Sequence, residues 1–160
     1  MRYFLVLLLI LLSSCRYKHF SFNEVYHYKV ALSDKALDKI LASDSKTQDE
    51  AMLETLLIED EPAQINATVI QNIQKLYLVN KKLDSSHVAK MSEIYYDGYN
   101  FTKTRCVPVY RDILVFKKND SIVGLSKICF ECEQQYTIDS YGQQLEFDNS
   151  NFEELKRILN

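Results

Sequence analysis

The stretch DILVFKKNDSIVGLSKICFEC, Asp112 to Cys132, constrains the fold more than any other part of the chain. Two apolar runs flank Lys118-Asn119-Asp120-Ser121. Asn and Asp tolerate the left-handed backbone that a two-residue hairpin turn needs, so the stretch predicts a β-hairpin with Asn119-Asp120 at its tip. That register sets Phe116 opposite Val123, Leu114 opposite Leu125 and Asp112 opposite Lys127, which makes two apolar pairs and one pair of opposite charge. It also sets Tyr110 opposite Cys129 and, with a single bulge, makes Cys106 and Cys132 direct neighbours. Alternation carried through KICFEC puts Ile128, Phe130 and Cys132 on one face, and Lys127, Cys129 and Glu131 on the other.

Upstream, the apolar spacing changes period. Asn23–Leu32 is rich in β-branched and aromatic residues and reads as a first strand, with His27 expected at its surface or half-buried. Ser33 then caps a helix whose apolar face is Ala36, Leu37, Ile40 and Leu41. Thr47 with Glu50 forms a capping-box pattern before a second stripe of Met52, Leu53, Leu56 and Leu57, and Pro62 ends that segment. Ile65, Val69, Ile73, Leu76 and Tyr77 keep helical spacing, with a strand near KLYLV as the alternative. Asp84 or Ser85 caps a further helix with Val88, Met91, Ile94 and Tyr95 on one face, stopping at Gly98. The chain closes with a helix over SNFEELKRIL, capped by Ser150 with Glu153 and burying Phe152, Leu155, Ile158 and Leu159. Helical segments packed on a small antiparallel sheet built around a hairpin, with a closing helix, define an α+β class.

The first residues, MRYFLVLLLILLSSC, set the location. Arg2 is a short basic lead, and Tyr3–Leu12 is an apolar run too short to span a bilayer. Leu12-Ser13-Ser14-Cys15 resembles a bacterial lipobox, which implies cleavage before Cys15 and lipidation of that cysteine. The competing reading is an ordinary secretory signal cut near the serines. The expected organisation is a lipoprotein signal peptide over 1–14, a lipidated tether over 15–22 and a single α+β domain over 23–160. More than one acyl chain on one residue gives a stable membrane anchor. Basic rather than acidic residues follow Cys15, namely Arg16 and Lys18. By comparison with surface-exported lipoproteins of Bacteroidetes-type bacteria, this implies a periplasm-facing cell-envelope protein.

Net charge is −3 and no basic block occurs, so nucleic-acid binding has no electrostatic support. The expected partners are the membrane, through Cys15, and an envelope protein. The three glycines, Gly98, Gly124 and Gly142, are scattered, so no phosphate-cradling loop can be built from them. The sequence contains neither H-E-x-x-H nor G-x-S-x-G. No catalytic residue and no cofactor are therefore expected. Arg111 and Asp112 read as a strand-end ion pair with Lys127, the alternative being an anion site using Arg111.

With Cys15 lipidated, Cys106, Cys129 and Cys132 remain. Three thiols allow at most one internal disulfide, and an envelope compartment permits it. On a continuous strand Cys129 and Cys132 point to opposite faces, about 10 Å apart, and could not bond to each other. The hairpin register favours a structural Cys106–Cys132 disulfide or buried thiols. Two alternatives stay open, a metal site and a thiol-redox role for all three. Glu131 and Glu133 flank Cys132, and nearby carboxylates work against a reactive thiolate.

The set Cys106, Pro108, Arg111, Cys129, Phe130 and Cys132 forms a C-x-P-x-x-R segment followed by I-C-F-x-C. With the lipobox and the closing NFEELKRIL, it is similar to a group of small lipoproteins and secreted proteins of Bacteroidetes-type bacteria. The resemblance covers about a third of the chain beyond the signal peptide. It implies location and fold unity and brings no assigned activity. The functional expectation is a lipid-anchored, non-enzymatic binding or structural module, with a thiol-redox or metal-binding lipoprotein as the alternative.

Overall fold

A computed structural model describes residues 21–77, 79–95, 106–146 and 151–160. The expected signal peptide, Cys15, most of the expected tether, Gly98 and Ser150 lie outside the described residues. Among the described residues six strands form one sheet: β1 (Glu24–Lys29), β2 (Val79–Lys82), β3 (Asp112–Lys118), β4 (Ser121–Cys129), β5 (Gln134–Asp139) and β6 (Gln144–Leu145). Their order is β2-β1-β3-β4-β5-β6, and every neighbouring pair is antiparallel. The helices are α1 (Asp34–Leu41), α2 (Gln48–Ile58), α3 (Ala67–Leu76), α4 (Ser85–Ile94) and α5 (Phe152–Leu159). The fold is α+β, as the sequence predicts.

Local chemistry starts these helices. The Ser33 hydroxyl accepts from the Ala36 amide at α1, and Asn66 accepts from the Val69 amide at α3. The capping box at α2 is complete: Thr47 accepts from the Glu50 amide while the Glu50 carboxylate accepts from Thr47. Those bonds from Thr47 hold the Glu50 carboxyl below its usual range. At α4 the Asp84 carboxylate accepts from the Ser86 and His87 amides, chiefly the latter, and its pKa falls well below the carboxylate norm. The closing helix departs from expectation. Its N-cap is Asn151, which makes no side-chain capping bond.

Helices cover both faces of the sheet. Leu37, Leu53, Leu57 and Ile73 of α1–α3 pack with Tyr28, Ile113, Val115 and Leu125. Val88, Met91, Leu155 and Ile158 of α4 and α5 pack with Val25, Leu114, Phe116 and Ile128. The central strand β3 is therefore buried on both sides from Asp112 to Phe116. Phe22, assigned above to the tether, is already part of this packing. Its ring lies 4.7 Å from that of Phe116 and 6.5 Å from that of Tyr95.

The hairpin forms where predicted, but its register is not the predicted one. Asn119 and Asp120 both adopt positive φ, 50° and 66°, and Lys118 pairs with Ser121. After Lys117–Ile122 the ladder slips at Phe116/Lys117, so Phe116 faces Gly124, Leu114 faces Ser126 and Asp112 faces Ile128. Val123 is the extra residue of a β-bulge. Lys127 thus stands opposite Ile113 rather than Asp112, and the expected Asp112–Lys127 pair does not form.

The second correction concerns KICFEC. Strand β4 ends at Cys129, and the chain reverses over Phe130–Glu133, with Glu133 at φ 48°. Cys132 consequently belongs to the same side of the sheet as Cys129, not to the opposite one.

The two edges differ from the centre. Strand β2 carries exposed Lys81 and Lys82, and β6 is only two residues long. No helix among the described residues is long and apolar enough to cross a membrane.

Candidate functional site

The residues singled out from the sequence gather at one end of the sheet, where β1 ends, β3 begins and the β4–β5 turn closes. Two adjoining clefts open there. One, of about 270 Å³, is lined by Lys29, Arg111, Asp112, Phe130, Glu131 and Lys156. The other, of about 300 Å³, holds all three described cysteines together with Asp34, Arg111 and Glu131. Arg111 and Glu131 form the wall between them.

Arg111 precedes β3, where its backbone carbonyl accepts from Val30 and fixes it beside the end of β1. Its Nη2 donates to Asp34 Oδ1 at 2.5 Å, across to the first turn of α1. Asp34 is largely exposed, so solvent weakens that pair. The Arg111 Nε is buried and meets no acceptor among the described residues. Arg111 thus pairs with a residue of a helix, whereas the strand-end pair expected between Asp112 and Lys127 does not form.

Asp112 finds its partner in β1. With Asp112 as a carboxylate, His27 Nε2 donates to Oδ1 at 2.7 Å, and both side chains are about 95% shielded from solvent. Lys29 Nζ lies 3.9 Å from the same oxygen. His27 is thus fully buried, where a surface or half-buried position was expected for it. Sequence reasoning missed this contact because the two residues sit 85 positions apart, on strands whose pairing depends on the whole sheet.

Lys127 is displaced by the bulge register onto the α1–α3 side, where it is fully buried. Its ammonium donates to the Glu59 and Glu61 carbonyls at 2.5 and 2.8 Å, just beyond the C-terminus of α2. The Tyr110 ring lies 4.7 Å from Nζ and the Tyr136 ring 5.8 Å. Tyr110 also donates to Asp60, and Tyr136 to the Pro62 carbonyl. The EDEP stretch, Glu59 to Pro62, is laced to the sheet by one lysine and two tyrosines. Burial lowers the Lys127 pKa to about 7, against the opposing pull of Asp60, Glu59 and Glu61.

That value predicts a pH slope. Above pH 7 the folded chain releases the Lys127 proton while the unfolded chain keeps it up to its ordinary value of 10.5. The unfolded state binds more protons, so stability rises with pH over this window, by up to about 1.4 kcal/mol per unit. Urea titrations at pH 7, 7.5 and 8 should show the rise in the native chain and its loss in Lys127→Met. Equal slopes in the two proteins would refute the linkage. The window stops at pH 8, short of about 8.5, where unfolded cysteine is half ionised and the raised Cys129 thiol acts strongly in the opposite sense.

Cys106 and Cys132 stand at disulfide distance, with Cα atoms 5.7 Å apart. They are the pair expected from the hairpin, but strand register does not bring them together. The turn after Cys129 swings Cys132 back toward the segment before β3. Cys129 remains a free, buried thiol. Its sulfur accepts from the Val109 amide at 3.4 Å and also from the Cys132 amide. Burial pushes the Cys129 pKa up, Glu131 adds to that, and the two amides pull it down. Among the described residues no group of three His, Cys, Asp or Glu side chains is placed to hold a metal ion.

Set against protein-family models, curated proteins and solved structures, the chain matches none.

Proposed function

We propose that this chain is a lipid-anchored cell-envelope protein, periplasm-facing, that serves as a non-enzymatic binding or structural module. The observation that carries the reading is Leu12-Ser13-Ser14-Cys15 directly closing an apolar run of signal-peptide length. A single domain with helices on both faces of its sheet suits a module held at a surface by its N-terminus. The paired clefts, bearing Lys29, Arg111 and Lys156 beside Phe130, give such a module a polar concave surface with one aromatic wall. Metabolic labelling with palmitate in a bacterial host tests the anchor. The native chain should take up label, and Cys15→Ser should take up none. An unlabelled native chain, or a labelled Cys15→Ser chain, would overturn the reading.

A second reading, a thiol-redox lipoprotein, is favoured by one observation: Cys106, Cys129 and Cys132 line a single cleft instead of two faces of a strand. The metal-binding form of that alternative gains no such support from the side-chain geometry.

A further inference from the structure

We infer that Cys106, Cys129 and Cys132 form an internal thiol–disulfide exchange site, in which Cys129 displaces Cys106 from Cys132 and releases Cys106 as a solvent-facing thiol. The inference deepens the thiol reading and is independent of the lipid anchor. Three observations carry it. The Cys132 amide donates to the Cys129 sulfur, which holds the free thiol against the residue that bears the disulfide. Cys129 and Cys132 are the two ends of a chain reversal, and residues three apart across such a reversal lie within about 7 Å, close to disulfide reach. Exposure is unequal: Cys129 and Cys132 are buried, whereas Cys106 is exposed and is followed by Val107, which is 77% exposed.

The chemistry balances without an outside oxidant. The Cys129 thiol donates toward Glu131 Oε2 at 3.7 Å, so Glu131 is placed to take the proton. The resulting thiolate is met by the Val109 and Cys132 amides. It attacks the Cys132 sulfur, the Cys129–Cys132 bond forms, the Cys106–Cys132 bond breaks, and Cys106 leaves with the electron pair as a thiolate. One disulfide and one thiol are present before and after. Because Cys129 is buried and Cys106 is not, the exchange converts a shielded thiol into an accessible one. The accessible Cys106 can then attack an external disulfide, forming a mixed disulfide and expelling the external thiolate.

Alkylation of the folded, unreduced full chain with iodoacetamide, followed by peptide mapping, tests this. The expected product carries the label on Cys106 and a Cys129–Cys132 link. Labelling of Cys106 should be abolished in Cys129→Ala, which has no internal nucleophile. A second variant, Cys106→Ser, incubated with oxidised glutathione as the oxidant, should form a Cys129–Cys132 bond and release reduced glutathione. Label on Cys129 alone, no label at all, undiminished Cys106 labelling in Cys129→Ala, or free thiols in Cys106→Ser would each overturn the exchange. Absence of any Cys106–Cys132 link in the unlabelled native chain would instead remove the thiol reading on which the exchange rests.

Discussion

Asp112→Ala is expected to lower folding stability by about 1–3 kcal/mol, the cost of leaving a buried hydrogen-bonding group without its partner. The loss comes mainly from what remains. His27 is 3% exposed, and its Nε2 would lose the 2.7 Å bond to Asp112. Lys29 contributes little, since it is 43% exposed and 3.9 Å away. Asp112→Asn keeps an oxygen at the site and should cost markedly less. A double-mutant cycle with His27→Ala should return a coupling energy above about 1 kcal/mol, because the partners touch directly. Urea denaturation reads each of these proteins, and an Asp112→Ala chain within about 0.5 kcal/mol of the native one would show that the pair does not matter.

Phe116→Ala should cost about 3–5 kcal/mol, as for other fully buried aromatic truncations. Phe116 is 0% exposed and fills the space between the sheet and α4. Its ring lies 4.7 Å from Tyr95 at 62° and 4.7 Å from Phe22 at 48°, so deletion empties the space between those two rings. Tyr95 is anchored by its hydroxyl bond to Ser126 at 3.0 Å and cannot swing in to fill the void without giving that bond up. A loss below about 1 kcal/mol on thermal or urea unfolding would mean that the cluster collapses freely.

How much of this was legible in the sequence depended on the range of the interaction. The helices were, because their signals are local: a cap, an acidic first turn and an apolar stripe all fall within one or two turns. The tip of the hairpin was legible for the same reason, since Asn119-Asp120 is a two-residue signal. The register was not, because it turned on one extra residue. Gly124 was the available clue, as an isolated glycine inside a strand pattern often marks a bulge. Missing it misassigned the partners of both Asp112 and Lys127. The turn after Cys129 was hidden differently. It contains no glycine, and Glu133 itself takes the left-handed conformation at φ 48°. Of the candidate site, the three cysteines and Arg111 were named from sequence, but His27, Lys29, Asp34 and Lys156 were not given roles. Each enters through a contact between elements far apart in the chain.

The unequal strands of the sheet also bear on how many copies of this molecule can share a small space. A row of unpaired backbone amides and carbonyls at a sheet margin invites another copy to add its own strand, and the reaction grows steeply with crowding. Here one margin, β2, presents Lys81 and Lys82, so two such margins brought together would set like charges against each other. The other, β6, offers just two residues of ladder, too few to hold an incoming strand. Among the described residues, neither margin thus offers an incoming strand a long uncharged ladder to pair with.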